Sequence, residues 1–206
     1  MPQRLALVTG ASSGVGRAVA RELARRGWKV ILTARRAAET EAAARAIGPA
    51  AIALPADVSD PADVERLAQA VLQTGLPDAI LNCAGAGRWL RLEDTPPAEI
   101  QSMLGAPLLA DALVCRAFLP GMRARNSGVL IHVNSPAAHA AWPHAAAYTA
   151  ARAGLYGLHK ALRQDLAGSG ITSCHATFGR ISSDYFAANP GVAERMPGIA
   201  RTIRTL

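Results

Sequence analysis

Short runs of apolar residues alternate along this chain with longer stretches in which apolar positions recur every three or four residues. The short runs are 5–10 (LALVTG), 29–34 (KVILTA), 51–58 (AIALPADV), 78–85 (DAILNCAG), 128–135 (GVLIHVNS) and 171–179 (ITSCHATFG). Few polar residues interrupt them, which is the pattern of parallel strands covered on both faces. The first intervening stretch, 16–27, turns Val19, Leu23 and Ala24 to one side and Arg21, Arg25 and Arg26 to the other, and stops at Gly27. A second helix stops at Gly48. A third opens on Asp60 as N-cap with Pro61 at the first helical position. A long helical stretch over 97–125 is interrupted at Gly105 and Pro107, and a last helix spans 144–168. Strand followed by helix, again and again, predicts an α/β fold: a doubly wound parallel sheet in three αβα layers, Rossmann-like, one domain over residues 1–206. After Phe186 the pattern becomes a loop and a weak basic helix.

Composition narrows the classes. Half of the residues are hydrophobic and 18% are charged, as in a globular protein. The net charge of +7 comes from arginines scattered over helix faces, without zinc-finger spacing or aromatic–basic interleaving, so nucleic acid is not an expected partner. Cys83, Cys115 and Cys174 are far apart and form no CxxC, which predicts free thiols and no metal site. No leader is expected at the start and no apolar run is expected to span a bilayer. A soluble cytoplasmic protein, with no membrane partner, is the expectation.

The first strand runs directly into TGASSGVG and then a helix. Gly10, Gly14 and Gly16 let the backbone approach a pyrophosphate, and the free N–H groups of the helix start favour an anion. At the end of the second strand, where an NAD-binding fold places a carboxylate for the ribose hydroxyl, stand Arg35 and Arg36. Guanidinium forks suit a phosphate, so NADP(H) is expected over NAD.

TGASSGVG, ADV, NCAG, VNS, YTAAR and FGRISS occur in this order between Arg4 and Ser183. In that order and spacing the chain resembles the short-chain dehydrogenase/reductase family. The resemblance implies reversible hydride transfer between a nicotinamide and an alcohol or carbonyl. It implies that Gly10, Ser12, Ser13, Gly14, Val15 and Gly16 hold the pyrophosphate and adenosine ribose, and that Asp57 and Val58 border the adenine. Asn82, Ala84 and Gly85 would lie under the cofactor, and Gly179, Ile181 and Ser183 beside the nicotinamide and pyrophosphate. Ser135 would hydrogen-bond the substrate oxygen and Tyr148 would exchange its proton. A free phenol is a poor base at neutral pH, and nearby positive charge makes phenols more acidic. That charge would come from Arg152, one helical turn after Tyr148, which would also bind the cofactor.

Two positions depart from the family. Arg152 replaces its lysine, keeping the charge but never releasing a proton. Pro107 replaces its helix asparagine, breaking the helix and freeing the Met103 carbonyl to hold a relay water. A second reading therefore stays open: a nucleotide-binding relative with weak turnover, acting as a sensor or scaffold. The substrate is expected to be a small carbonyl or alcohol. Its pocket is sought among Trp89, His139, Trp142 and His144, with Asp184 and Tyr185 on a lid. The family continues through one more helix and strand, whose absence would leave the sixth strand as an edge. The two long helices are the expected contact in a homodimer or homotetramer.

Overall fold

The computed structural model describes residues 3–179, Ile181 and Asn189. Six parallel strands form one sheet in the order β3-β2-β1-β4-β5-β6. They are β1 (Leu5–Thr9), β2 (Lys29–Thr33), β3 (Ala51–Ala53), β4 (Ala79–Asn82), β5 (Gly128–Asn134) and β6 (Ile171–Thr177). Helices α1 (Gly14–Arg25), α2 (Ala37–Ile47), α3 (Pro61–Thr74), α4 (Pro97–Leu104), α5 (Ala110–Arg125) and α6 (Ala146–Asp165) connect them.

β1 and β2 are apolar and almost wholly buried because both sheet faces are covered. On one face Val8, Val30 and Leu32 pack with Ala20 of α1 and Ala43 of α2. On the other, Leu7, Ile31 and Ile80 meet Val64 and Val71 of α3 and Phe118 and Met122 of α5. Burying a side chain such as Phe118, 1% exposed, contributes roughly 1.5–3 kcal/mol. β6 departs from the all-buried expectation. Past the buried Ile171 its residues are exposed or half-buried, because its only partner among the described strands is β5.

Local chemistry explains the boundaries. Asp60 caps α3 by accepting from the Asp63 N–H at 2.8 Å, with Pro61 next in line. β3 is shorter than the apolar run suggested, although Leu54 and Ala56 still donate to the Leu32 and Ala34 carbonyls at 2.9 and 3.2 Å, which turns Pro55, with no N–H to pair, to the open edge. α6 starts at Ala146 and not at 144, because Pro143 precedes His144, whose φ is +57°. The long helix breaks at Pro107 into a wide turn over Gly105–Leu109, with Ala106 at φ −123°, ψ 105°. Within the 29 residues Pro97–Arg125 an 18-residue window reaches a mean hydropathy of 1.5, long and apolar enough to cross a membrane, which corrects the expectation of no such run. Here Val114, Phe118 and Met122 pack it against the sheet.

Strand order reverses direction between β1 and β4, and the crevice beyond their carboxyl ends is where an open α/β sheet receives its ligand.

Candidate active site

A cleft of about 500 Å³ opens at that switch point. Its floor is the turn after β1. Gly10 has φ +61°, and a Cβ there would stand 2.8 Å from the Cys83 carbonyl oxygen. A Cβ on Gly16 would stand 2.5 Å from the Gly10 carbonyl oxygen. The loop is therefore folded back on itself, and only bare glycine backbone fits. Thr9 Oγ1 accepts from the N–H groups of Cys83 and Ala84, both at 3.0 Å, and so ties the β4 turn to this loop. In the sequence Thr9 reads as a strand residue opening TGASSGVG, and nothing there signals its bond to the β4 turn.

Arg36 reaches back over the loop and donates to Ser12 Oγ at 3.0 Å and Ser13 Oγ at 3.2 Å. Its other guanidinium nitrogen lies 3.6 Å from Glu39. Arg35 lies on the same rim, so two cations flank the glycine turn. Asp57 and Val58 border the cleft; the Asp57 carboxylate accepts from the Ser59 N–H at 2.9 Å and hydroxyl at 2.6 Å. A glycine cradle with arginine forks on its rim fits the diphosphate and phosphate groups of a dinucleotide.

The opposite wall carries Ser135, Tyr148 and Arg152, all buried to within 9% exposure. Ser135, just past β5, accepts from the Ala137 N–H at 3.3 Å. Arg152 lies one turn along α6 from Tyr148, with its guanidinium carbon 5.0 Å from the centre of the phenol ring. It donates to the Val133 carbonyl at 3.3 Å. A Cβ on Gly85 would stand 2.8 Å from Arg152 Nη2, so the fork would have to shift if residue 85 carried a side chain. Arg152 Nε is buried without a protein partner.

Ser12, Ser13, Gly14, Val15, Ala84, Gly85, Gly179 and Ile181 also line the cleft. Asn82 does not. It turns beneath the sheet and donates to Asp111 at 2.8 Å, because alternation along β4 points it to the α5 face. Ser183 lies outside the described residues, as do Asp184 and Tyr185. The Pro107 break turns a carbonyl out of the helix, but the one it hands to a partner is that of Ala106, which accepts from the Ala86 N–H at 2.8 Å. The Met103 side chain instead receives the Arg88 N–H at its sulfur, 3.3 Å away.

Of the substrate candidates, Trp89 and Trp142 line the cleft and stack at 5.2 Å between ring centres, with Trp89 5.9 Å from the Tyr148 ring. His144 is elsewhere, in an outer hollow with Arg91, Leu92 and Glu93. His139 packs edge-on against Tyr156 at 4.5 Å, in a group with His159 and His175. Burial and the neighbouring imidazoles push His159 down to about 4 and lower His175 as well.

Under β4 and β5, Asp111, Cys115 and His132 form a cluster with the composition of a metal site. Its groups hydrogen-bond one another: His132 Nδ1 is 2.9 Å from both Asp111 oxygens, and Cys115 Sγ is 3.3 Å from one of them. Burial and the Asp111 charge push the Cys115 thiol well above its ordinary range. His132 Nε2 and His159 Nδ1 each lie 2.9 Å from Ser173 Oγ.

A glycine turn at the switch point of a parallel sheet, facing a phenol with a cation beside it, defines a dinucleotide-binding protein of the Rossmann type. Its relatives are more specific. Residues 4–190 match the short chain dehydrogenase family. The chain is 33% identical to the ketoacyl reductase HetN of Nostoc sp., over 94% of this chain and 69% of that protein. It is also 33% identical to the 3-oxoacyl-[acyl-carrier-protein] reductase FabG of Escherichia coli, over 90% of this chain and 76% of that one. A metagenomic short-chain oxidoreductase solved in complex with NADP superposes with a TM-score of 0.81 at 34% identity, covering 86% of this chain and 82% of the other. The chain belongs to the short-chain dehydrogenase family, whose members are oxidoreductases that use a nicotinamide cofactor on small-molecule substrates and are commonly oligomeric.

Proposed function

We propose that this protein is an NADP(H)-dependent oxidoreductase that interconverts a carbonyl and an alcohol, with Tyr148 as its general acid and base. The observation that carries the proposal is convergence: the glycine turn, Arg36, Ser135, Tyr148 and Arg152 come from distant parts of the chain and border one cleft. When bound, the reduced nicotinamide supplies the hydride that the carbonyl carbon accepts. Charge then develops on the carbonyl oxygen. Tyr148 gives that oxygen its phenolic proton, Ser135 holds it by a hydrogen bond, and solvent reprotonates Tyr148. Arg152 supplies fixed positive charge at the ring losing the proton, and cannot itself relay one. In the direction of alcohol oxidation the same phenol takes the proton.

The preference for NADP(H) rests on Arg35 and Arg36. Arg36→Ala removes a charge-assisted contact worth about 1.5–3 kcal/mol, so NADPH binding weakens about 10- to 100-fold. NADH affinity falls much less, through the lost Arg36 bonds to Ser12 and Ser13 alone. Titration of nicotinamide fluorescence separates the two, and equal weakening of both coenzymes would place Arg36 away from the 2′-phosphate.

The described lining near Tyr148 includes the apolar residues Trp89, Trp142, Pro136, Phe178 and Ala86, with the two indoles stacked. It suits an uncharged carbonyl compound with a planar flank. Trp142→Ala should raise KM for an aryl ketone such as acetophenone by up to about 10-fold, from a stacking contribution of about 1.5 kcal/mol, and leave a short aliphatic ketone little changed. Equal losses for both would show that Trp142 only supports the loop.

Arg152 and the missing asparagine support one other reading, a coenzyme-binding protein with little turnover. NADPH binding without consumption across a carbonyl panel, relieved by Arg152→Lys, would favour it. Leu104 and Leu109, 40% and 46% exposed, leave apolar surface on the α4–α5 segment for a homodimer or homotetramer contact. The free cysteines suit the cytoplasm.

A further inference from the structure

Asn134, the last residue of β5 and 3% exposed, makes three side-chain hydrogen bonds that meet behind the catalytic wall. Its Oδ1 accepts from the Ser135 backbone N–H at 2.8 Å. Its Nδ2 donates to the Arg152 carbonyl at 3.0 Å and lies 2.9 Å from His175 Nε2. The carboxamide cannot be reversed, since that would set its oxygen against the Arg152 carbonyl and its NH₂ against the Ser135 N–H. An amide nitrogen only donates, so His175 Nε2 must present a lone pair and its ring proton must sit on Nδ1, 3.3 Å from Thr177 Oγ1.

The imidazole is wedged in place from several elements. It lies 4.9 Å from the Tyr156 ring and 5.3 Å from His159 on α6, and 5.8 Å from His139. His132 is its register partner on β5. Lys160 lies over Tyr156 at 5.8 Å, and Arg163 acts on His159. Among the described residues none of the groups packed on His175 is a carboxylate; Asp111 is engaged by His132. Burial, with His139 and His132, opposes a second proton on His175.

We propose that Asn134 and His175 are positioning residues: the unprotonated Nε2 of His175 holds the Asn134 carboxamide, and the carboxamide fixes the backbones from which Ser135 and Arg152 reach the cleft. This rests on the roles given above to Ser135 and Arg152. A proton on Nε2 would replace the acceptor with a donor facing an NH₂ group. Asn134 would then release the Ser135 N–H and the Arg152 carbonyl. Because the folded-state value of His175 is lowered, the clamp holds through neutral pH and opens only below the ordinary imidazole range.

Two variants of the full chain test this by amide hydrogen exchange, coenzyme titration and the pH profile of kcat. His175→Phe removes the acceptor. The Ser135 amide should exchange at least about 10-fold faster and kcat should fall about 10-fold, with NADPH affinity kept within about twofold. In His175→Gln, Oε1 sits as many bonds from Cβ as Nε2 does, so it accepts but does not titrate. It should keep Ser135 protection and at least about half of kcat, and lose the acid limb expected of the unaltered protein. Wild-type Ser135 exchange in His175→Phe, or an unchanged acid limb in His175→Gln, would overturn the proposal. If His175→Phe does not fold, His175→Gln decides through Ser135 exchange at low pH. If the unaltered protein turns nothing over, the oxidoreductase reading falls, while Ser135 exchange still decides the clamp.

Discussion

Tyr148→Phe is expected to lower kcat by about 10²- to 10⁴-fold, the range for removing a general acid, while NADPH binds as before. The ring is 7% exposed, with Arg152 at 5.0 Å and Trp89 at 5.9 Å, so phenylalanine fills the same space. What disappears is the only phenolic proton on the described wall of the cleft. Steady-state turnover of an aryl ketone, with coenzyme titration beside it, separates the two effects. Loss of NADPH binding, or a kcat within twofold of the unaltered protein, would move the proton chemistry elsewhere.

Gly16→Ala is expected to disable the other half of the cleft. The new methyl would stand 2.5 Å from the Gly10 carbonyl oxygen and 3.0 Å from that of Thr9. Both are backbone atoms of the turn, so no side chain can rotate to make room. The strain amounts to about 3 kcal/mol, the upper part of the range for overpacking, and lowers Tm by about 6–12 °C in a chain of this size. The turn cannot keep its shape around the methyl, so saturating NADPH should no longer raise Tm as it does for the unaltered protein. Thermal unfolding with and without NADPH measures both. An unchanged coenzyme-induced shift would mean that this turn is not the dinucleotide seat.

The cradle was legible in the sequence because close backbone approach demands glycine at particular places between a strand and a helix, and Gly10 and Gly16 are there. The fold was legible for a related reason: alternating apolar runs and helical stretches admit few architectures, and Asp60 with Pro61 announces a helix start. Position along one element was harder. Asn82 sits in the right strand yet faces away from the cleft, and its direction depends on where β4 begins. His144 looked one helical turn ahead of Tyr148 until the Pro143–His144 bend set the helix start beyond it. Least legible were contacts between elements distant in sequence. His132 and Asn134 on β5, and Ser173, His175 and Thr177 on β6, recur at every second position, a signal that one face of each strand is polar. Only the pairing of His132 with His175 and Asn134 with Thr177 shows that the two polar faces are one network against α6.

In the proposed reaction hydride passes between a nicotinamide seated on the glycine turn and a carbonyl held at Tyr148. The most direct measurement uses NADPH deuterated at C4, each face in turn, with acetophenone and a panel of aliphatic ketones, reading the alcohol product by NMR. Deuterium from one face should appear on the carbinol carbon, and this product should vanish in Tyr148→Phe. Coenzyme that binds the unaltered protein but delivers no deuterium to any ketone, or a labelled alcohol formed equally well without the phenol, would rule out hydride transfer with Tyr148 as its proton donor.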